Sequence, residues 1–217
     1  MKITAYPVFP AYLWIHDLRL DLDRPLNQSL SDMLDKLTSP RPERVPGANR
    51  QTDQTLHLLP EFSELVKIFN FASEQVLETP EVEHQGFQIT GCWANVGPKE
   101  SVHVPHLHPN NYLSGIYYVH TKDGADQVTF HEPRAVTEII APRLRKANAC
   151  NYVEHSIRVM PGRLVLFPAW PVHSVPPNRS DSLRISISFD IMFNNFAETV
   201  ARPKWNGLPL NVDALRK

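Results

Sequence analysis

Histidine is concentrated in one part of this sequence. The chain contains ten histidines, and five of them lie within 29 residues, at positions 103, 106, 108, 120 and 131. His106 and His108 are two residues apart, so in an extended chain their side chains point to the same side. Pro109 favours that conformation at His108, because the residue before a proline is biased toward extended backbone. The pair is therefore a candidate clamp for one metal ion, with two imidazoles that bind no metal as the alternative.

A third candidate ligand lies much further along the chain. His173 follows the apolar run LVLF (164–167) and the tryptophan at position 170. A histidine at the end of a buried strand can meet ligands that come from the opposite side of a β-barrel. Taken alone, the pattern also describes a structural histidine held by hydrogen bonds, and the sequence leaves both interpretations open.

The segment 183–193 adds a candidate anion-binding group. Its odd positions are all apolar, whereas its even positions carry Arg184, Ser186, Ser188 and Asp190 before Met192. This period of two predicts a strand with one packed face and one polar face, which lies in solvent or in a barrel lumen. In a lumen, Arg184 would suit a carboxylate through a charge-assisted, bidentate contact.

These residues need a β-rich scaffold to bring them together. Leucines at helical spacing predict a helix over 25–37, and a second apolar stripe predicts one over 60–77, with a surface loop at 39–55 between them. Short strand-like runs separated by turn signals then predict an antiparallel sandwich or barrel. The predicted strands are 87–96, 112–120, 127–131, 156–160, 163–168 and 183–193.

We interpret residues 1–217 as a single domain. Its three parts are N-terminal strands and supporting helices over 1–83, a β core over 84–194 and a C-terminal tail over 195–217 that wraps the outside. The segment 133–155 is expected to be an insertion at the mouth of the barrel.

Composition excludes several classes of function. The 217 residues include 22 Lys plus Arg and 23 Asp plus Glu, for a net charge of −1, which argues against a general nucleic-acid binder or a polybasic membrane protein. Two cysteines do not make a disulfide framework. Since we also see no apolar run of roughly 20 residues and no signal-peptide pattern, we expect a cytoplasmic protein without membrane or nucleic-acid partners.

The spacing of several short motifs resembles that of a known family. These motifs are GCWANV (91–96), HLHP (106–109), LSGIYYV (113–119), GRLVLFP (162–168), HSVPP (173–177) and RISISF (184–189). In combination, between Gly91 and Phe189, they resemble the 2-oxoglutarate/Fe(II)-dependent oxygenase family of bacteria and phages. The resemblance implies a mainly β fold with flanking helices, namely a double-stranded β-helix (jelly roll, cupin-like), with Fe(II) and 2-oxoglutarate as cofactors.

The resemblance also implies roles for single residues. His106 and His173 match the two histidines of the metal site, and His108 stands where that superfamily usually has a carboxylate. We interpret His108 as a third imidazole ligand, so that His106, His108 and His173 form the catalytic metal triad. The alternative is that His108 lies behind the metal site and water takes that position. Glu132 and Asp190 are other nearby carboxylates, without a spacing argument for either. The residues that would hold 2-oxoglutarate are Arg184, Ser186, Asn95 and Tyr118.

The resemblance implies a dioxygenase that hydroxylates an unidentified small-molecule or peptide substrate with O2 and releases succinate and CO2. Two alternatives remain at this point. One is a three-histidine cupin-type metalloenzyme that does not use 2-oxoglutarate, and the other is a non-catalytic jelly-roll binding module. The sequence leaves a homo-oligomer open.

Overall fold

The computed structural model of the chain describes residues 4, 9–18, 20–37, 49–134, 139, 142–148 and 150–195. Of residues 20–24 only the backbone is described. The C-terminal tail predicted over 195–217 lies outside the described residues after Asn195, and the division of the chain at 83 and 194 stays a prediction. No described helix is long and apolar enough to cross a membrane.

The described residues include ten strands, which form two antiparallel sheets. The large sheet has the order β1-β8-β5-β10-β3-β2, and its strands are β1 (Trp14–Asp17), β8 (Arg163–Pro168), β5 (Leu113–His120), β10 (Arg184–Phe193), β3 (Phe87–Gly97) and β2 (Arg50–Gln51). The small sheet has the order β4-β9-β6-β7, and its strands are β4 (His103–His106), β9 (His173–Val175), β6 (Gln127–His131) and β7 (Glu154–Arg158).

Both faces of the large sheet are covered, and its alternating side chains explain why. In β8, Leu164 and Leu166 pack into the core on the helix side, whereas Val165 and Phe167 pack into a second cluster with residues of the small sheet. Residues two apart in a strand share a face, so successive side chains of β8 belong to the two clusters alternately. The second cluster therefore joins the two sheets, and the predicted mainly β fold with flanking helices is confirmed.

In the described part of the chain, two α-helices cover one face of the large sheet. They are α1 (Leu20–Leu37) and α2 (Ser63–Glu78). The stacked rings of Phe69 and Phe189, whose centroids are 4.0 Å apart, tie α2 to β10. The predicted start of α1 at Pro25 was wrong by five residues, because proline suits a first turn but lies inside this helix. The second predicted helix begins as a short 3₁₀ turn over Pro60–Phe62 before α2.

The six long strands lie within two residues of their predicted bounds, and β1 falls within the predicted N-terminal strands, whereas the three short strands β2, β4 and β9 were missed. β2 falls inside the predicted loop 39–55, and β4 and β9 have four and three residues, too few to show a period. The predicted insertion 133–155 ends in β7, because Glu154 and His155 already pair with β6.

Candidate functional site

Three histidines converge between the two sheets. His106 ends β4 and lies directly opposite His173 of β9 in the antiparallel pair. Their ring centroids are 4.4 Å apart, and the His108 ring lies 5.3 Å from His106 and 5.1 Å from His173. One ligand atom from each of the three residues lies within 4.8 Å of the other two. Among the described residues, this is the cluster of His, Cys, Asp or Glu side chains that could hold a metal ion.

His108 reaches the cluster from outside a strand. The extended stretch predicted for the pair stops at His106, where β4 ends. Two residues later, the His108 backbone N–H donates to the Ala169 carbonyl at 3.0 Å. The loop that precedes β9 therefore holds His108 in place, and the His108 Nε2 atom lies 3.4 Å from the His173 Nε2 atom.

In each of the three rings the Nδ1 atom, here called the outer nitrogen, lies beside an oxygen atom of the chain. The His106 Nδ1 atom lies 2.7 Å from the Val104 carbonyl oxygen, and the His173 Nδ1 atom lies 3.2 Å from the Pro171 carbonyl oxygen. The His108 Nδ1 atom lies 3.1 Å from the Asp190 Oδ2 atom. These oxygens accept hydrogen bonds, so each ring carries its hydrogen on Nδ1. The lone pair that remains for a metal is on Nε2 in all three.

Burial disfavours the charged form of two rings of the cluster, His106 and His173. Burial and the neighbouring His106 lower the pKa of His173 to about 3. Burial also lowers the pKa of His106. His103, which lies beside the cluster, has its pKa lowered to about 4 by burial and by the charge of Arg184. At neutral pH the rings of His103, His106 and His173 are therefore neutral. A neutral imidazole is the form that binds a metal.

The cluster opens into a cavity of about 390 Å³. All seven residues predicted to form the site line it: His106, His108, His173, Arg184, Ser186, Asn95 and Tyr118. The polar face of the strand 183–193 therefore faces this cavity and not solvent. Sequence reasoning did not assign Gln51, Gln54, Asn111 and Trp93, which also line it. The two glutamines come from the predicted loop 39–55, where no pattern marks them.

Arg184 brings a buried positive charge to the cavity. Only 4% of the residue is exposed, and burial lowers the pKa of its guanidinium. The guanidinium donates to the Pro176 carbonyl at 2.9 Å and to the Ser101 carbonyl at 3.2 Å. Among the described residues, no carboxylate forms an ion pair with it. A buried cation without an anion is costly, so this end of the cavity suits a negatively charged ligand.

Two further polar atoms of the cavity lining have no hydrogen-bond partner among the described residues. The Tyr118 hydroxyl is fully buried without a hydrogen bond, and so is the Asn95 Oδ1 atom, although the Asn95 Nδ2 atom donates to Ser188 at 3.3 Å. Burial raises the pKa of Tyr118, so its hydroxyl keeps its proton. Buried polar groups are normally satisfied, and these unsatisfied atoms therefore indicate a place for a polar ligand.

The structure also places the two carboxylates considered for the metal. Glu132 is engaged by Arg134, with the Arg134 Nε atom 2.7 Å from its Oε1 atom, and it does not line the cavity. Asp190 does line the cavity, but its Oδ2 atom faces the outer nitrogen of His108. Glu132 is therefore no candidate ligand, and Asp190 contacts a candidate ligand.

The donor set fits a divalent first-row metal. Imidazole nitrogens are good ligands for such ions, and structural sites usually have four protein ligands whereas catalytic sites leave positions open. Three imidazoles at the floor of a cavity leave room for further ligands. The buried guanidinium in the same cavity fits the free carboxylate of a small acid that also binds the metal.

Comparisons with known proteins agree with this geometry. Residues 91–190 match the family model "Putative 2OG-Fe(II) oxygenase". That range contains all seven predicted site residues. It also contains the whole small sheet and the strands β5 and β8 of the large sheet. Among curated proteins, no sequence matches the chain.

Several solved structures have the same fold. A prolyl-4-hydroxylase from Pseudomonas putida aligns with a TM-score of 0.58 and 13% identity, over 85% of this chain and 94% of that one. The carbocyclase SnoK from nogalamycin biosynthesis, described as non-heme and alpha-ketoglutarate dependent, aligns with a TM-score of 0.61 and 13% identity, over 84% and 80%. HygX from Streptomyces hygroscopicus, solved with nickel and 2-oxoglutarate, aligns with a TM-score of 0.58 and 12% identity, over 85% and 83%. These likenesses confirm the predicted jelly-roll fold.

Proposed function

We propose that this chain is an enzyme of the 2OG-Fe(II) oxygenase family, whose model matches residues 91–190, and that His106, His108 and His173 hold its iron. The observation that carries the proposal is the convergence of one ligand atom from each residue within 4.8 Å. The hydrogen on each Nδ1 leaves Nε2 free to bind in every ring. Burial keeps His106 and His173 neutral, so no proton competes with the metal for their nitrogens.

When bound, Fe(II) together with 2-oxoglutarate and O2 supplies the oxidising chemistry, with succinate and CO2 as products. The residues of the chain bind, orient and enclose these groups. We assign the carboxylate of 2-oxoglutarate that is far from its keto group to Arg184. The support for this role is a buried guanidinium that has carbonyl partners but no carboxylate among the described residues. A planar guanidinium binds a carboxylate through two parallel hydrogen bonds and so fixes its direction.

Ser186, Asn95 and Tyr118 complete the pocket for the same ligand in this proposal. All three line the cavity beside Arg184. Ser186 is the cross-strand partner of both Asn95 on β3 and Tyr118 on β5, so the three side chains stand in one row across the sheet. A carboxylate that accepts the Tyr118 hydrogen would satisfy a buried hydroxyl that has no partner in the described part of the chain.

The remaining cavity wall is the proposed substrate side. It carries the Trp93 indole and the side chains of Gln51, Gln54 and Asn111. We propose that a small molecule or peptide group enters here and is hydroxylated at a C–H bond. A cytoplasmic location, the absence of a nucleic-acid partner and the assembly state stay predictions from the sequence.

The test is an anaerobic titration of the Fe(II)-loaded protein with 2-oxoglutarate, followed in the visible region. A chelated 2-oxo acid gives a charge-transfer band that a three-histidine enzyme without 2-oxoglutarate does not develop. We expect the band in wild type. We expect Arg184→Ala to need at least about 10-fold more 2-oxoglutarate for half-saturation, since a charged hydrogen bond contributes roughly 1.5–3 kcal/mol. A wild-type protein that binds iron without developing the band would contradict the proposal.

A matched control removes a different arginine. Arg179 lies on the exposed surface, where it contacts Glu100 and does not line the main cavity. Arg179→Ala should leave the 2-oxoglutarate titration unchanged. An equal effect of the two substitutions would remove Arg184 from the pocket.

A further inference from the structure

One buried carboxylate remains without a role in the proposed mechanism. Asp190 lies near the end of the central strand β10, opposite Ser114 of β5, and only 6% of the residue is exposed. The pairing of β10 with β3 is irregular between Asp190 and Ile191. Such a bulge re-aims side chains and is common next to active sites. A buried carboxylate is costly unless its oxygens are engaged.

Both Asp190 oxygens are engaged by hydrogen-bond donors. The Ser114 hydroxyl donates to Oδ1 at 2.5 Å, and the Asn111 Nδ2 atom donates to Oδ2 at 3.3 Å. The His108 Nδ1 atom completes the set, 3.1 Å from Oδ2. Ser114 and Asn111 therefore fix the carboxylate in position, and the fixed carboxylate faces the outer nitrogen of a proposed metal ligand.

The three proposed ligands differ in the kind of oxygen that their Nδ1 atom faces. His106 and His173 are backed by the neutral carbonyls of Val104 and Pro171, whereas His108 alone is backed by a carboxylate. His108 is also the residue that stands where a carboxylate ligand is usual in the oxygenases this chain resembles. A carboxylate that accepts the outer hydrogen of a metal-bound imidazole orients the ring and makes it a stronger donor.

We propose that Asp190 is a positioning residue of the metal centre. It orients His108 and gives the three-imidazole site a negative charge one hydrogen bond from a ligand ring. This inference rests on the proposed function insofar as it requires a metal at His106, His108 and His173.

The test measures the affinity of the metal-free full-length chain for Co(II), together with the visible absorption of the bound ion. Asp190→Asn keeps the size of the side chain and removes its charge. We expect it to weaken Co(II) binding about 10- to 100-fold, as for other residues that support a ligand histidine, and to shift the Co(II) absorption bands. Asp126→Asn is the matched control, because Asp126 is an equally buried carboxylate that contacts Arg158, away from the cavity.

A double variant separates action through His108 from a general loss of structure. If Asp190 acts through His108, adding Asp190→Asn to His108→Ala weakens Co(II) binding no further than His108→Ala alone. Losses that multiply in the double variant would overturn the proposal. So would an affinity within twofold of wild type for Asp190→Asn, or a His108→Ala chain that keeps Co(II) while Asp190→Asn loses it. If wild type itself binds no Co(II), the proposed function fails, and that result differs from all of these.

A second measurement needs no substitution at Asp190. In the Zn(II)-loaded wild-type protein, nitrogen-15 NMR of the histidine rings shows whether each Nδ1 atom carries a hydrogen. Of the three Nδ1 hydrogens, we expect that of His108 to have the proton chemical shift furthest downfield. Its acceptor is a carboxylate, whereas the acceptors of His106 and His173 are carbonyls. A His108 ring without a hydrogen-bonded Nδ1 proton would overturn the proposal even if Asp190→Asn does not fold.

Discussion

His106 and His173 are direct partners across the β4–β9 pair, although they lie 67 positions apart in the sequence. Antiparallel partners face the same side of a sheet, so strand pairing alone brings the two rings to 4.4 Å. Each ring is also held by a backbone carbonyl two residues before it in the sequence. The His106 ring contacts the Val104 oxygen, and the His173 ring contacts the Pro171 oxygen. Two of the three proposed metal ligands are therefore placed by strand pairing, and His108 is added from a loop.

Removal of either strand-borne ligand should abolish tight metal binding. A structural metal site with four ligands contributes about 10–16 kcal/mol, so roughly 2.5–4 kcal/mol per ligand is expected. We expect His106→Ala and His173→Ala each to weaken Co(II) or Fe(II) binding more than about 100-fold, measured by competition with a chelator. His120→Ala is the control, because His120 does not line the cavity. Unchanged affinity in either ligand variant would contradict the assignment.

Bound metal should also stabilise the fold. An ion present at about 100 times its dissociation constant adds roughly 2.7 kcal/mol to the free energy of unfolding. We expect thermal unfolding of wild type to shift upward with metal and downward with a chelator. The His173→Ala chain should show neither shift. A metal-dependent shift that survives in His173→Ala would place the ion elsewhere.

The sequence predicts much of this site because two of its patterns are local. The spacing of His106 and His108 and the period of two over 183–193 can be seen in short windows, and both led to the cavity that the structure contains. The register between distant strands leaves no such trace. Asp190 faces His108 and Ser114 only because β10 pairs with β5 in one register and is irregular beyond Asp190.

The short strands escape prediction for a related reason. β9 has three residues and β4 four, so neither shows an alternation that differs from chance. Their place follows from contacts with each other and with β6, which a single sequence does not reveal. Gln51 and Gln54 enter the cavity wall for the same reason, since they belong to or follow the two-residue strand β2.

Gly115 should tolerate no side chain. It lies in the middle of β5, and a Cβ atom there would come within 2.2 Å of the Phe189 ring, which is stacked on Phe69. Because that ring is fully buried, Gly115→Ala should lower the free energy of unfolding by about 1–3 kcal/mol or more, measured in urea. Gly91→Ala should cost less, since its Cβ meets the flexible end of Gln54 at 3.3 Å. An equal cost for both would contradict the packing argument.

The Asp17–Arg163 pair should make stability depend on pH at acidic values. Both oxygens of Asp17 accept from Arg163, at 2.6 and 2.7 Å, and this hydrogen bonding lowers the pKa of Asp17. The stabilisation is therefore present above the pKa of the unfolded chain and is lost as the pH falls through the lower folded pKa. Since about half of the Asp17 side chain is exposed, we expect a contribution of about 1 kcal/mol or less.

The comparison of wild type with Asp17→Asn measures this contribution. At pH 7 the variant should be less stable in urea by about that amount, and the difference should shrink toward zero as the pH falls below the folded pKa. A difference that stays constant with pH would show that packing, and not the charge of Asp17, is responsible.

The neighbouring residues Tyr117 and Tyr118 should respond in opposite ways to loss of the hydroxyl. They point to opposite faces of β5: Tyr117 packs on the helix side, where its hydroxyl donates to Asn27 at 2.7 Å, and Tyr118 faces the cavity with an unpartnered hydroxyl. Tyr118→Phe should leave the free energy of unfolding almost unchanged, because it removes no hydrogen bond within the protein. We expect it to weaken 2-oxoglutarate binding about 5- to 10-fold, as for the loss of one hydrogen bond.

Tyr117→Phe should do the reverse. It leaves the Asn27 oxygen without this donor in a buried place, so it should cost about 1–2 kcal/mol in urea unfolding, while the 2-oxoglutarate titration stays as in wild type. Two adjacent substitutions of the same chemistry thus separate stability from ligand binding, because the pleat of β5 sends one hydroxyl to the core and the other to the cavity. If Tyr118→Phe destabilises the fold and leaves the titration unchanged, the Tyr118 hydroxyl is not part of the 2-oxoglutarate pocket.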